Sequence, residues 1–76
     1  MARYFFDLIG HNRSVFDFHG ATFSDRYRAH EQAQLLALNL QVEEDEAFIG
    51  GRVHVRDAQG GVMFSVVIRG LEQLAA

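Results

Sequence analysis

The sequence predicts an α+β fold in which two β-hairpins flank one helix, in the order β-β-α-β-β. Two stretches of alternating apolar residues lie before a stretch with helical apolar spacing, and two more lie after it. We expect a four-stranded sheet with the helix packed on one face. At 76 residues, the chain has the length of a single domain, residues 1–76. The predicted elements are strands at about 3–9, 14–18, 52–57 and 62–68, a helix at about 25–41, and a tail at 71–76.

The first hairpin begins with a strand that is apolar on both faces. Its side chains divide into Tyr4, Phe6 and Leu8 on the face expected to meet the helix, and Phe5 and Ile9 on the opposite face. Turn-forming residues at 10–13 follow it. The second strand, 14–18, then closes the hairpin.

The helix has a start signal and an end signal. Ser24 or Asp25 is the expected N-cap. The stripe that faces the sheet comprises Ala29, Ala33, Leu36, Ala37 and Leu40. The acidic run at 43–46 is unfavourable at the negative end of a helix dipole, so we expect the helix to end near Gln41 or Val42.

The second hairpin alternates more regularly than the first. Val53 and Val55 are expected inside, with Arg52, His54 and Arg56 on the other face. Glycines near position 60 suit the turn. The last strand, 62–68, is apolar on both faces, which is typical of a central strand.

Face polarity also predicts the strand order. Strands 3–9 and 62–68 are expected at the centre, with the more polar strands 14–18 and 52–57 at the edges. The resulting order is 14–18, 3–9, 62–68, 52–57. The order with the last two strands exchanged remains open.

Composition excludes several classes of protein. The chain has no cysteine, which excludes disulfides and thiolate metal sites. Its net charge of −3 argues against a nucleic-acid partner. We see no signal peptide and no apolar stretch long enough to span a membrane, so the expected location is the cytoplasm, without a membrane partner.

No motif in the sequence indicates catalysis. The four histidines are scattered without metal-ligand spacing. The serines lack the flanking glycines of a nucleophile elbow, and the glycine pairs lack the lysine of a phosphate-binding loop. We therefore assign no catalytic, cofactor-binding or metal-binding residue, expect no cofactor, and lean against an enzyme.

Surplus apolar residues are the most informative functional feature. The predicted interaction surface comprises Phe5, Ile9, Met63 and Val67 on the open sheet face, and Tyr27, Leu35 and Leu38, with Val42 beside them, on the outer helix face. Monomers rarely expose large contiguous apolar patches. We therefore predict a non-catalytic protein-interaction module that self-associates as a homodimer, with an unidentified protein partner as the alternative cover.

Two other functions remain open. Arg3, Arg52, His54 and Arg56 share the open sheet face and would suit an anion, which makes a nucleic-acid-binding or regulatory module the first alternative. Cross-strand pairing of these residues with Asp7 is the competing interpretation. The second alternative is a small-ligand binder or an enzyme with a site between helix and sheet.

Short motifs run through the chain. It opens with Met1, Ala2, Arg3, Tyr4, Phe5 and Phe6. Further along, Asp17 is followed by Gly20, Ala29 by Glu31 and Ala33, and Val55 and Asp57 by Gly60. In these features the chain resembles a family of small bacterial proteins of unknown function whose members open with Met-x-Arg-Tyr-Phe-Phe. The resemblance implies a shared fold and a bacterial source, and it carries no catalytic residues.

Overall fold

A computed structural model describes residues 1–70, in which one helix packs across an antiparallel sheet. The α+β class predicted from the sequence is confirmed. The elements are β1 (Ala2–Ile9), β2 (Ser14–Val15), β3 (Ala21–Phe23), α1 (Arg26–Val42), β4 (Arg52–Arg56) and β5 (Val62–Val67). The predicted tail, 71–76, lies outside the described residues. Within residues 1–70, no helix has the length and apolar character needed to cross a membrane.

The order of the strands differs from the one favoured by the sequence. The sheet runs β2-β1-β4-β5, so that β4 and not β5 is the neighbour of β1. The expected order was therefore wrong, and the alternative that remained open is the observed one. Val53 and Val55 of β4 are fully buried at the centre. The polar outer face of β4 is compatible with this position because Arg56 is neutralised by Asp7 across the sheet.

The first hairpin is interrupted where a continuous strand, 14–18, was predicted. Strand β2 ends at Val15, and an additional short strand, β3, pairs with β1 through Tyr4 and Ala21. Within residues 1–70 the sheet therefore has five strands and not the predicted four. The Asp17 side chain accepts hydrogen bonds from backbone N–H groups in this interval. Gly20 has φ 70, a left-handed conformation in which glycine is favoured. Together they turn residues 16–20 out of the ladder.

Helix α1 begins and ends with recognisable caps. The Asp25 carboxylate accepts hydrogen bonds from the N–H groups of Tyr27 and Arg28 at 2.9 and 3.0 Å. At the other end, the N–H of Asp45 donates to Leu40 O and the N–H of Glu44 to Gln41 O, which is the pattern of a Schellman motif. Glu44 occupies its left-handed position with φ 52.

The core lies between the helix and the sheet. The inner row of α1 is Ala29, Ala33 and Ala37, whose side chains are 0 to 4% exposed. Because alanine is small, the helix lies close to the sheet at this row. The other buried apolar side chains of the core are Tyr4, Phe48, Val53, Val55 and Ile68. The helix-facing side of the first strand is as predicted, since Phe6 and Leu8 pack against this cluster.

Candidate functional site

Strand β4 divides the apolar residues predicted on the open sheet face. Arg52 pairs with Ile9 on one side and with Val67 on the other. Phe5 pairs with Arg56. The structure therefore places a basic row between the apolar residues of β1 and those of β5. The predicted contiguous patch requires β1 and β5 as direct neighbours, and β4 lies between them.

Two of these apolar residues have partners within the fold. The Arg56 guanidinium carbon lies 5.2 Å from the centre of the Phe5 ring, within the range of a cation–π contact. A Cβ added to Gly20 would come within 2.9 Å of Phe5 Cε1, so the loop backbone also lies against this ring. Met63 is half-buried and packs against the core.

A buried carboxylate holds Arg56 in place. The Asp7 side chain is 3% exposed and accepts from Arg56 Nε at 2.5 Å and Nη2 at 3.1 Å. It also accepts from the backbone N–H of Asp17 at 3.0 Å, and Arg56 Nη2 donates to Asp17 O. Burial raises the pKa of Asp7, but the hydrogen bonds from Arg56 and Asp17 and the charge of Arg56 outweigh it and hold this pKa below the usual 3.8.

A second carboxylate fixes the loop over this pair. Asp17 accepts from the N–H groups of Gly20 and His19 at 3.0 Å and from that of Phe6 at 3.1 Å. Burial raises the pKa of Asp17, but these backbone hydrogen bonds outweigh burial and lower the pKa below 3.8. Asp7 and Asp17 are therefore engaged in joining the loop to the sheet.

The other predicted anion-binding residues differ in their exposure and in the partners that they already contact. Arg3 donates through Nη1 to the carbonyl of His19. Arg52 is exposed and donates to Ser65 Oγ at 3.3 Å. His54 is half-buried between its strand partners Asp7 and Ser65. The structure places these residues on one sheet, with Arg56 already paired.

The outer face of α1 carries the predicted helix patch. Exposure is 62% for Tyr27, 55% for Leu35, 49% for Leu38 and 66% for Val42. At 100° per residue these side chains lie opposite the buried alanine row. The helix is therefore apolar on two opposite sides, and the described part of the chain covers one of them.

An exposed aromatic loop was missed by the sequence reasoning. Phe16 and Phe18 are 54% and 85% exposed on either side of Asp17. Both lie within the predicted strand 14–18, which ends at Val15 in the structure. A sequence signal for this loop does exist, since Asp17 is followed three residues later by Gly20. An acid at this distance before a glycine is typical of a turn and indicates that the strand ends before it.

Comparisons with known proteins add a family and no activity. A protein-family model described as "Domain of unknown function (DUF6894)" matches residues 3–69. Searches of curated proteins and of solved structures returned no match. Among residues 1–70, no group of three or more His, Cys, Asp or Glu residues is arranged to hold a metal ion.

Proposed function

The chain belongs to the DUF6894 family of domains of unknown function, and we propose that it is a non-catalytic interaction module that self-associates. The family description supplies no activity, so the proposal depends on the chain's own surfaces. The outer face of α1 is the observation that carries it.

Four exposed side chains on one helix face form a patch of considerable area. Tyr27, Leu35, Leu38 and Val42 each expose about half or more of their surface. Together they present on the order of 400 Å² per copy, within the size range of the largest apolar patch on a typical monomer. Such patches mark interaction sites more often than chance, because exposed apolar surface is costly in water.

The open sheet face is less suited to pairing with itself. Its apolar residues flank Arg52, which is exposed, whereas Arg56 is neutralised by Asp7. A second copy placed there would either bring the two Arg52 charges together or bury them, and both oppose association. This comparison supports α1 as the self-association surface.

The buried ionisable groups support a non-catalytic role. Asp7 is buried and Asp17 is half-buried, and backbone N–H groups and Arg56 occupy their oxygens. Within residues 1–70, no buried side-chain polar atom lacks a hydrogen-bond partner. These groups serve to hold the loop and the sheet together.

The mass of the protein in solution tests the proposal. Light scattering coupled to size exclusion should give about twice the 8.6 kDa chain mass at high micromolar concentration. Leu38→Glu should give the monomer mass, because it places a charge within the apolar patch while preserving helix propensity. Phe18→Glu is the matched control, since Phe18 is an exposed apolar residue outside the helix.

Each outcome has a clear meaning. A dimer that Leu38→Glu dissociates and Phe18→Glu leaves intact supports the proposal. A wild-type monomer at high micromolar concentration contradicts self-association. A dimer that persists in Leu38→Glu, or that Phe18→Glu dissociates, excludes α1 as the surface that associates.

A further inference from the structure

The exposed helix face has the spacing of a helix–helix seam. Arg28, Glu31, Leu35, Leu38 and Val42 follow one another at intervals of three, four, three and four residues. This is the a/d spacing through which two helices pack side by side, with apolar residues at the last three positions and the ion pair of Arg28 and Glu31 at the first two. All five side chains are exposed, so the row is accessible along the helix.

The charges at the two ends of α1 are opposite in sign. Arg26 and Arg28 occupy its first turn, while Glu43, Glu44 and Glu46 follow its last turn, and all are exposed. A single helix is destabilised by this arrangement, because its dipole favours acids at the start and bases at the end. A second helix running the opposite way would place each basic end beside an acidic end.

We infer that two copies pair through this seam with their α1 helices antiparallel; this rests on the proposed function and specifies its partner and geometry. A two-fold axis midway between Leu35 and Leu38 packs Leu35 of each copy against Leu38 of the other copy. The same axis places Arg28 level with the acidic segment 43–46 of the second copy. A parallel pair would instead bring arginine against arginine and acid against acid.

The size of the seam predicts a weak dimer. With Tyr27, which lies beside the seam, counted with Leu35, Leu38 and Val42, two copies would bury on the order of 800 Å² of apolar side chain. Flanking polar residues bring the total to roughly the lower limit of about 1,000–1,200 Å² for specific interfaces. We therefore expect a dissociation constant on the order of micromolar, with a contribution from the charged ends.

Charge exchange at the two ends tests the antiparallel geometry. Arg28→Glu places an acid beside the acidic segment of the second copy, and Glu46→Arg places a base beside Arg28. Each variant should weaken the dimer about tenfold, because two symmetry-related attractions become repulsions. The double variant should recover most of the wild-type affinity, and it keeps the wild-type net charge of −3.

Analytical ultracentrifugation at two salt concentrations provides the readout. Arg69→Glu, at an exposed arginine outside the seam, is the control for a change in net charge and should leave the affinity nearly unchanged. Added salt should weaken the wild-type dimer, because its charged ends attract.

The outcomes separate this inference from the proposed function. The antiparallel geometry is overturned if the single variants dimerise as tightly as the wild type. It is also overturned if the double variant dimerises no more tightly than the single variants. A wild-type dimer that strengthens with salt overturns it as well. If Leu38→Glu still dissociates that dimer, self-association through α1 stands. A wild-type monomer overturns both.

Discussion

Replacing Asp7 by asparagine removes the charge that joins β1, β4 and the loop 16–20. The side chain is 3% exposed and accepts two hydrogen bonds from Arg56 and one from the Asp17 backbone. Asparagine preserves the volume, but its amide N–H₂ offers donors where acceptors are needed. The Arg56 guanidinium is then left beside a neutral group with an unmade hydrogen bond.

The size of the loss follows from the burial of the pair. Breaking a fully buried ion pair by removing one partner costs about 3–5 kcal/mol. Since the Arg56 side chain is 25% exposed, water can solvate part of its charge in the variant. We therefore expect Asp7→Asn to lower the free energy of unfolding by about 2–3 kcal/mol, a large share of the roughly 5 kcal/mol typical of a marginal domain.

Urea unfolding followed by circular dichroism measures this loss. Arg69→Gln is the control, because it neutralises one exposed charge outside the helix seam and should leave the unfolding midpoint nearly unchanged. A double-mutant cycle of Asp7→Asn and Arg56→Met should be strongly non-additive, since the two residues form one interaction.

The loss should also depend on pH. The folded-state pKa of Asp7 lies below 3.8, so its stabilisation is fully present above that value and is lost as the pH falls through the folded pKa. The difference in the free energy of unfolding between the wild type and Asp7→Asn should therefore shrink as the pH falls through the folded-state pKa of Asp7. A loss below about 1 kcal/mol at neutral pH, or an advantage that persists unchanged below the folded pKa, would refute a stabilising role for the ionised carboxylate.

Three further predictions concern α1, each measured by thermal and urea unfolding. Glu44→Gly should raise the free energy of unfolding by about 0.5–1 kcal/mol, because glycine adopts φ 52 without a Cβ clash. A lower free energy of unfolding would mean that the Glu44 side chain stabilises the fold by more than its left-handed backbone conformation costs. Asp25→Ala should lower it by about 1 kcal/mol through loss of the N-cap, and Asp25→Ser should recover most of that. Ala33→Leu should cost about 1–3 kcal/mol because Ala33 is 0% exposed against the sheet, whereas an unchanged midpoint would contradict the close approach of the helix.

Local patterns predicted much of the fold. Alternation in β1 placed Tyr4 and Phe6 toward the helix, and residue type limited the N-cap to Ser24 or Asp25, of which Asp25 is the one observed. The strand order could not be obtained in the same way. Polarity on the outward face of residues 52–57 indicated an edge strand, but Arg56 finds Asp7, a partner 49 residues away, and the strand lies inside the sheet.

The candidate site was predicted in part. The exposed row on α1 follows from helical spacing once the alanine row is taken as the inner side, and the structure places Tyr27, Leu35 and Leu38 on the outer side. The open sheet face was less accessible to sequence reasoning, because its pattern depends on which strand lies beside β1. Phe16 and Phe18 are exposed because the Asp17 side chain between them accepts hydrogen bonds from the backbone N–H groups of Phe6 and Gly20. The alternation of apolar residues does not indicate these hydrogen bonds.

The sequence by itself determined the helix with its buried alanine row and approximate ends, and the inner sides of β1 and β4, because these depend on residues within a few positions of one another. Only the tertiary structure decided which strands are neighbours and which arginines are neutralised. These features depend on contacts between distant segments, such as Asp7 with Arg56 and Phe6 with Asp17. For that reason the apolar surface on the sheet is divided by charge, while Leu35, Leu38 and Val42 on the helix follow one another without interruption.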